Sequence, residues 1–169
     1  MNSTTGLPFV ISRHLKAPRS LVWDVYTQTE HLQHWFGPKG VTMSHGAMDF
    51  RVGQTFHYSQ ALEGGGTLWG MWNFREIVAP EKIVLIQHFS DASGGVTRNP
   101  WNPGWPLRTL STTTFAEQDG GTLLTIQWAP LDASDDEQAT FLAGHSSMNQ
   151  GWGSVLDGLV DYLSLLQTP

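Results

Sequence analysis

Between Val41 and Trp128 the chain passes through six segments dominated by β-branched and aromatic residues: VTMSHGAMDFR, QTFHYSQAL, TLWGMWNFREIV, KIVLIQHFS, RTLSTTTFA and TLLTIQWAP. Such runs read as strands. Gly53, the glycines at 64–66, Ala79-Pro80 and Asp119-Gly120-Gly121 punctuate them with turn chemistry. Strands joined by short turns pair antiparallel, because a parallel pair needs a long crossover. The segments therefore predict a meander, and a sheet with one apolar face must bury it against something.

The C-terminus supplies the cover. Ser134 and Glu137 frame S-D-D-E, a capping box that starts a helix with acids at its N-terminus. Phe141, His145, Met148, Trp152, Val155, Leu159, Leu163 and Leu166 then recur at steps of three and four, drawing one stripe along a long helix. Glycines 144, 151, 153 and 158 weaken that helix and predict a bend near Gly151 or a close approach to the sheet.

Upstream, LPFVISRHLK alternates as a first strand, with Phe9, Ile11 and Arg13 on one face. Pro18 suits a first helical position ahead of Leu21, Val22 and Val25. A second short helix is expected over Thr29–Trp35, with Thr29 as N-cap and Gly37-Pro38 as terminator. The order is strand, two short helices, six strands, long helix. It predicts an α+β fold in one domain over residues 1–169, with a seven-stranded curved sheet on the terminal helix and residues 1–6 flexible. Residues 91–106, DASGGVTRNPWNPGWP, form a long loop carrying Trp101 and Trp105, either a packed lid or partner surface or merely a decorated hairpin.

A net charge of −6 argues against nucleic acid or an anionic membrane as partner, since both need clustered Lys and Arg. With no cysteine, disulfides, thiolate metal sites and thiol nucleophiles are excluded. No apolar run reaches membrane-span length and the start lacks a signal-peptide profile, so a cytoplasmic location is expected.

The order of elements, together with APRSLVWDVYT, HLQHWFGPKG, MDFRVGQTFHY, REIVAPEKIV, GGTLLTIQW and NQGWGSVLDGLVDYL, resembles the START-like (SRPBCC, Bet v 1-like) helix-grip superfamily. Within it the chain is similar to proteins related to the C-terminal domain of activators of the heat-shock protein 90 ATPase. The pieces span residues 8–166. Gly53-Gln54 stands where that family often has a double glycine, and Trp72 where it often has a glycine. The resemblance implies a helix gripped by a bowed sheet. It also implies three functional readings: a binder of hydrophobic molecules, a polyketide cyclase/dehydratase-like enzyme, or a chaperone-interaction module.

Eight tryptophans and eight phenylalanines must fill a core or line a cavity. The expected lining of a sheet–helix hollow is Trp35, Phe36, Trp72, Phe74, Trp128, Phe141, His145, Met148 and Trp152, with HWFGP, residues 34–38, closing one end. His145 falls on the helix stripe, and His88 and His57 are expected to reach the same space. These three are the candidate acid–base groups, the other reading being buried histidines bonded to neighbours. His31 and His34 could share a helix face, yet no third ligand has a recognisable spacing, so no metal and no cofactor are expected. Asp49 and Arg51 share a strand face and predict an internal ion pair. The favoured reading is binding of a hydrophobic or aromatic small molecule without obligatory chemistry. Cyclase, dehydratase or hydrolase chemistry in the cavity, chaperone contact and a homodimer through the 91–106 loop stand as alternatives.

Overall fold

The computed structural model describes residues 8–37 and 40–168. The residues expected to be flexible at 1–6, and Pro38 of the turn after the second helix, lie outside them. The elements follow the expected order: β1 (Phe9–Leu15), α1 (Arg19–Thr27), α2 (Thr29–Trp35), β2 (Thr42–Met48), β3 (Thr55–Ala61), β4 (Thr67–Val78), β5 (Lys82–Ser90), β6 (Val96–Thr97), β7 (Arg108–Gln118), β8 (Gly121–Leu131), α3 (Asp135–Ala143) and α4 (His145–Gln167). The strands form one antiparallel sheet in the order β1-β8-β7-β5-β4-β3-β2, with the short β6 added beside β5. The seven strands of the sequence reading are that path; β6 is an addition from within the 91–106 segment.

Strand alternation sorts the side chains. Phe56, Tyr58, Trp72, Phe74, Ile83, Leu85, Phe115, Leu124 and Ile126 point to the concave side and pack with Val155, Leu156, Leu159 and Leu163 of α4 in one core. Registers agree, since Phe56 lies opposite Trp72 and Trp72 opposite Gln87, and directly opposed residues share a face. The α1–α2 pair closes one end: Val22, Val25, Tyr26, Leu32 and Trp35 are all buried there.

Several local expectations change. Pro18 caps α1 from outside, and Thr29 is the first residue of α2 behind Gln28; neither helix has a side-chain cap bond. The terminal helix is interrupted at Gly144, and α4 runs unbroken through Gly151. The Trp105 ring packs so closely that a Cβ on Gly144 would sit 2.7 Å from it, and α3 and α4 meet at that residue. The capping box of α3 is formed as expected, with Ser134 accepting from the Glu137 N–H and Glu137 from the Ser134 N–H. The stripe also ends sooner, because Leu166 is exposed.

Asp49 and Arg51 pair, but on the surface. The Arg51 Nε donates to Asp49 at 2.7 Å with both side chains exposed to solvent. That bond holds the Asp49 carboxyl below the usual carboxylate range. The tie lies in the turn between β2 and β3, where chain reversal swings both residues off the strand face.

Candidate functional site

Between the concave sheet face and α4 lies a small, largely enclosed space of about 60 Å³, lined by Tyr26, Phe36, Tyr58, Trp72, Leu85, Ser111, Trp128 and Trp152. Each wall has a simple origin. Tyr58, Trp72 and Leu85 alternate inward from β3, β4 and β5, and Ser111 and Trp128 do so from β7 and β8. Tyr26 comes from α1, Phe36 from the end of α2, and Trp152 from α4. The rings meet largely edge to face: Phe36 with Tyr58 and Trp72 at 5.3 and 5.2 Å, and Trp128 with Trp152 at 5.7 Å. Such contacts suit the ring quadrupoles.

Of the nine residues expected to line the hollow, four lie at this space. Phe36, Trp72, Trp128 and Trp152 border the space, and the other five do not. Trp35 is buried behind it, its indole Nε1 donating to the Val25 carbonyl at 2.9 Å. Phe74 packs edge to face on Phe50 at 5.1 Å. Phe141 lies under Trp105, and His145 sits between Phe141 and Phe9 at 5.3 and 5.8 Å. Met148 is half-buried on the same stretch of α4. Tyr26, Tyr58, Leu85 and Ser111 were missed. Alternation alone could have found Tyr58, two residues from Phe56, and Ser111, two from Thr113.

Two buried polar atoms lack a hydrogen-bond partner among the described residues: the Trp128 Nε1 and the His145 Nε2. Both belong to the end of the interior covered by the first half of α4. Buried donors and acceptors are normally satisfied, so two orphans together mark this end as different from the rest of the core. The first half of α4 is also weakly held. Its buried residues are Val155, Leu156, Leu159 and Leu163, and none lies in His145–Ser154.

The titratable groups of the space are Tyr26 and Tyr58. Burial pushes each phenol up to about 12, so both stay protonated at neutral pH. His57 and His88 do not join them. His57 lies opposite Met71, and Met71 opposite His88, on the convex face of the sheet. There His57 stacks on Trp69 at 4.9 Å, with its Nε2 3.1 Å from the Ser90 hydroxyl. The apolar run of β5 hides this parity, because Val84 and Ile86 on the outer face are as hydrophobic as Ile83 and Leu85 on the inner one.

His31 and His34 both turn to Tyr162 of α4. The His31 Nδ1 lies 2.7 Å from the phenol oxygen, and the His34 ring stacks on Tyr162 at 5.1 Å. Residues of the HWFGP corner also border an outer groove of about 580 Å³ against α4. Phe36 borders that groove and the inner space alike, and so forms the partition between them.

Residues 91–106 fold down at one end and stand out at the other. Trp105 rests on Phe141 at 5.1 Å, and Arg98 binds both the Trp105 carbonyl and the Glu137 carboxylate. Asn99 accepts from the Trp101 and Asn102 N–H groups and so shapes the turn that leaves Trp101 64% exposed. Among the described residues, no helix is long and apolar enough to cross a membrane.

Solved bacterial structures share this architecture. A Mycobacterium smegmatis protein superposes with a TM-score of 0.73 at 21% identity, over 99% of this chain and 94% of that one. An Arthrobacter aurescens protein gives 0.77 at 22%, over 97% and 90%. A Nitrosomonas europaea protein gives 0.74 at 21%, over 99% and 100%. At these identities the likeness concerns the fold alone. No curated protein matches the sequence. Residues 16–164, however, match the family described as Activator of Hsp90 ATPase homolog 1-like protein. With that match running over most of its length on a helix-grip architecture, the chain belongs to the Activator of Hsp90 ATPase homolog 1-like family.

Proposed function

We propose that the protein binds a hydrophobic or aromatic small molecule between the concave face of the sheet and α4. The observation that carries this reading is the buried Trp128 Nε1, a donor without a partner at the wall of a space otherwise lined by rings, Leu85 and the Ser111 hydroxyl. A flat apolar guest with one acceptor would satisfy that donor and stack against the rings.

Small-molecule sites usually measure about 300–1,000 Å³, and the inner space holds about 60 Å³. The guest must therefore widen it. The wall able to yield is the first half of α4, with Trp152 flanked by Gly151 and Gly153 and no buried residue as anchor. Phe36 is the other movable element, since its rotation would join the inner space to the outer groove. In this reading HWFGP is a gate, with Trp35 as its fixed post. Met148 and His145 then come within reach of the guest, and His145 is the one remaining candidate for proton transfer. The titratable lining, Tyr26 and Tyr58, is held neutral and can donate a hydrogen bond but not act as a base. Binding without obligatory chemistry follows.

Native mass spectrometry of the purified protein tests this. A co-purified mass released on denaturation is expected. An apolar fluorophore such as 1-aminoanthracene should compete for the site, with weaker binding in Trp152→Ala. No adduct, together with no saturable probe binding, would overturn the reading. A second reading, contact with a protein partner as the family description suggests, is favoured by the exposed Trp101. It predicts that Trp101→Ala abolishes that contact while probe binding is kept.

A further inference from the structure

Most of the arginines have carboxylate partners. Arg13 pairs with Asp157, Arg19 with Glu117, Arg51 with Asp49 and Arg98 with Glu137. The remaining two, Arg75 and Arg108, have no hydrogen-bond or ion-pair partner among the described residues, although acidic residues outnumber basic ones by fifteen to nine. Both border one open groove of about 340 Å³ on the convex face, together with His88, Asn73, Ile86 and Val96. Among the described residues no carboxylate borders it.

The placement of Arg75 is specific. The ladder between β4 and β5 shifts register between Phe74 and Glu76, so Arg75 is the extra residue of a β-bulge. Bulges re-aim a side chain, and they are enriched beside functional sites. Strict alternation from Asn73 already puts Arg75 on the convex face; the bulge reverses the parity that follows, so Glu76, opposite Val84, turns to the same face and meets Lys82 at 2.8 Å. Arg108 opens β7 on the opposite side of β5. Between them, the His88 Nδ1–H donates to the Phe89 carbonyl at 2.8 Å, which leaves Nε2 as the free ring nitrogen. Asn73 uses its amide on the Ile86 carbonyl at 3.2 Å.

We infer that this groove binds the oxyanion of a soluble small molecule, a phosphate monoester or a carboxylate. Two guanidinium forks and an imidazole suit such a group geometrically, because an arginine offers paired N–H donors to two oxygens at once. Ile86 and Val96 give the rest of the molecule an apolar wall, and the groove lies at the small end of the range for ligand sites. A membrane headgroup is disfavoured because the chain carries a net charge of −6. The site is on the opposite face of the sheet from the proposed hydrophobic one, and it stands or falls independently.

The full-length protein is titrated with inorganic phosphate, with acetate and with sodium chloride at matched ionic strength, and the His88 ring is followed by NMR. A saturable shift with phosphate or acetate is expected, and none with chloride. His14, whose ring meets the Gln118 carbonyl elsewhere, should stay silent. Arg108→Gln and Arg75→Gln should each weaken binding at least about tenfold, the loss of one charge-assisted bond, and Arg108→Lys should recover part of it. Both variants should bind the apolar fluorophore as the parent does. An equal response to chloride, or unchanged phosphate binding in both glutamine variants, would overturn the proposal. So would co-sedimentation with phosphatidic acid vesicles in the absence of any response to inorganic phosphate.

Discussion

The two faces of the sheet are built from alternate residues of the same strands, yet they carry opposite chemistry. On the concave face β3, β4 and β5 present Phe56, Tyr58, Trp72, Phe74 and Leu85, with few polar side chains among them, such as Gln87, whose amide oxygen accepts from the Thr109 hydroxyl at 3.2 Å. On the convex face the same strands present His57, Trp69, Asn73 and His88, and Arg75 joins them at a bulge. A cover makes the difference. The concave side is dehydrated by α4 and the α1–α2 pair, so its phenols are held neutral, whereas on the convex side Arg75 is exposed and Arg108 half-buried, and both keep their charge. One strand thus carries two kinds of surface.

The sharpest separation is in stability. Leu156, fully buried against the concave face, should cost about 2–5 kcal/mol as Leu156→Ala, the loss of transfer energy plus a cavity. Arg75→Gln on the convex face should stay within about 0.5 kcal/mol. Urea midpoints would check both, and equal effects would mean that α4 does not clamp the sheet. Next comes alkali. Tyr26 and Tyr58 are raised from 10.0 to about 12 by burial. The fold therefore retains their protons longer than the unfolded chain does, so stability is fully present below about pH 10 and falls as pH rises toward 12. The loss is roughly 2–3 kcal/mol per phenol. Tyr26→Phe should flatten the alkaline slope by about half; an unchanged slope would mean that the phenol is hydrated.

How much of this could be read in the sequence depends on whether one strand or several decide the outcome. The order of elements, the S-D-D-E cap and the stripe from Val155 to Leu163 follow from local spacing, and they stand in the structure. The break at Gly144 does not, because what sets this glycine apart is the Trp105 ring of a distant loop packed against it. Nor do the faces of His57 and His88. KIVLIQHFS is apolar on both parities, so its inward face is fixed only by its neighbours, Phe74 opposite Leu85 and Trp72 opposite Gln87. Phe36, Trp72, Trp128 and Trp152 were legible as interior aromatics, but the size of the space they enclose was not. Volume depends on how rings interlock, and spacing carries no information about that.

A smaller effect probes how tightly the concave face is packed. A Cβ on Gly70 would lie 2.4 Å from the Tyr58 ring and its oxygen, so Gly70→Ala should cost about 1–3 kcal/mol through overpacking. Tyr58→Leu in the same chain should recover part of that cost, because residues in contact couple non-additively. If the double variant shows simple addition of two losses, the ring is not what Gly70 accommodates.

The smallest effect reads the convex face and has the opposite sign in pH. Partial burial lowers the His88 pKa, the Phe89 carbonyl opposes that, and the charges of Arg108 and His57 add to the lowering. The folded chain thus disfavours a further positive charge at that groove, beside Arg75 and Arg108. A group whose pKa is depressed on folding contributes stability above its unfolded value, near 6.5, and loses it as pH falls below. Wild type should therefore lose more stability than His88→Asn between about pH 7.5 and about pH 5.5, either side of the ordinary histidine value. Inorganic phosphate should narrow that gap, since an oxyanion between Arg108 and His88 favours the charged ring. A phosphate effect of the same size in His88→Asn would place the anion elsewhere, and the contrast between an alkali-sensitive interior and an acid-sensitive outer groove would rest on His88 alone.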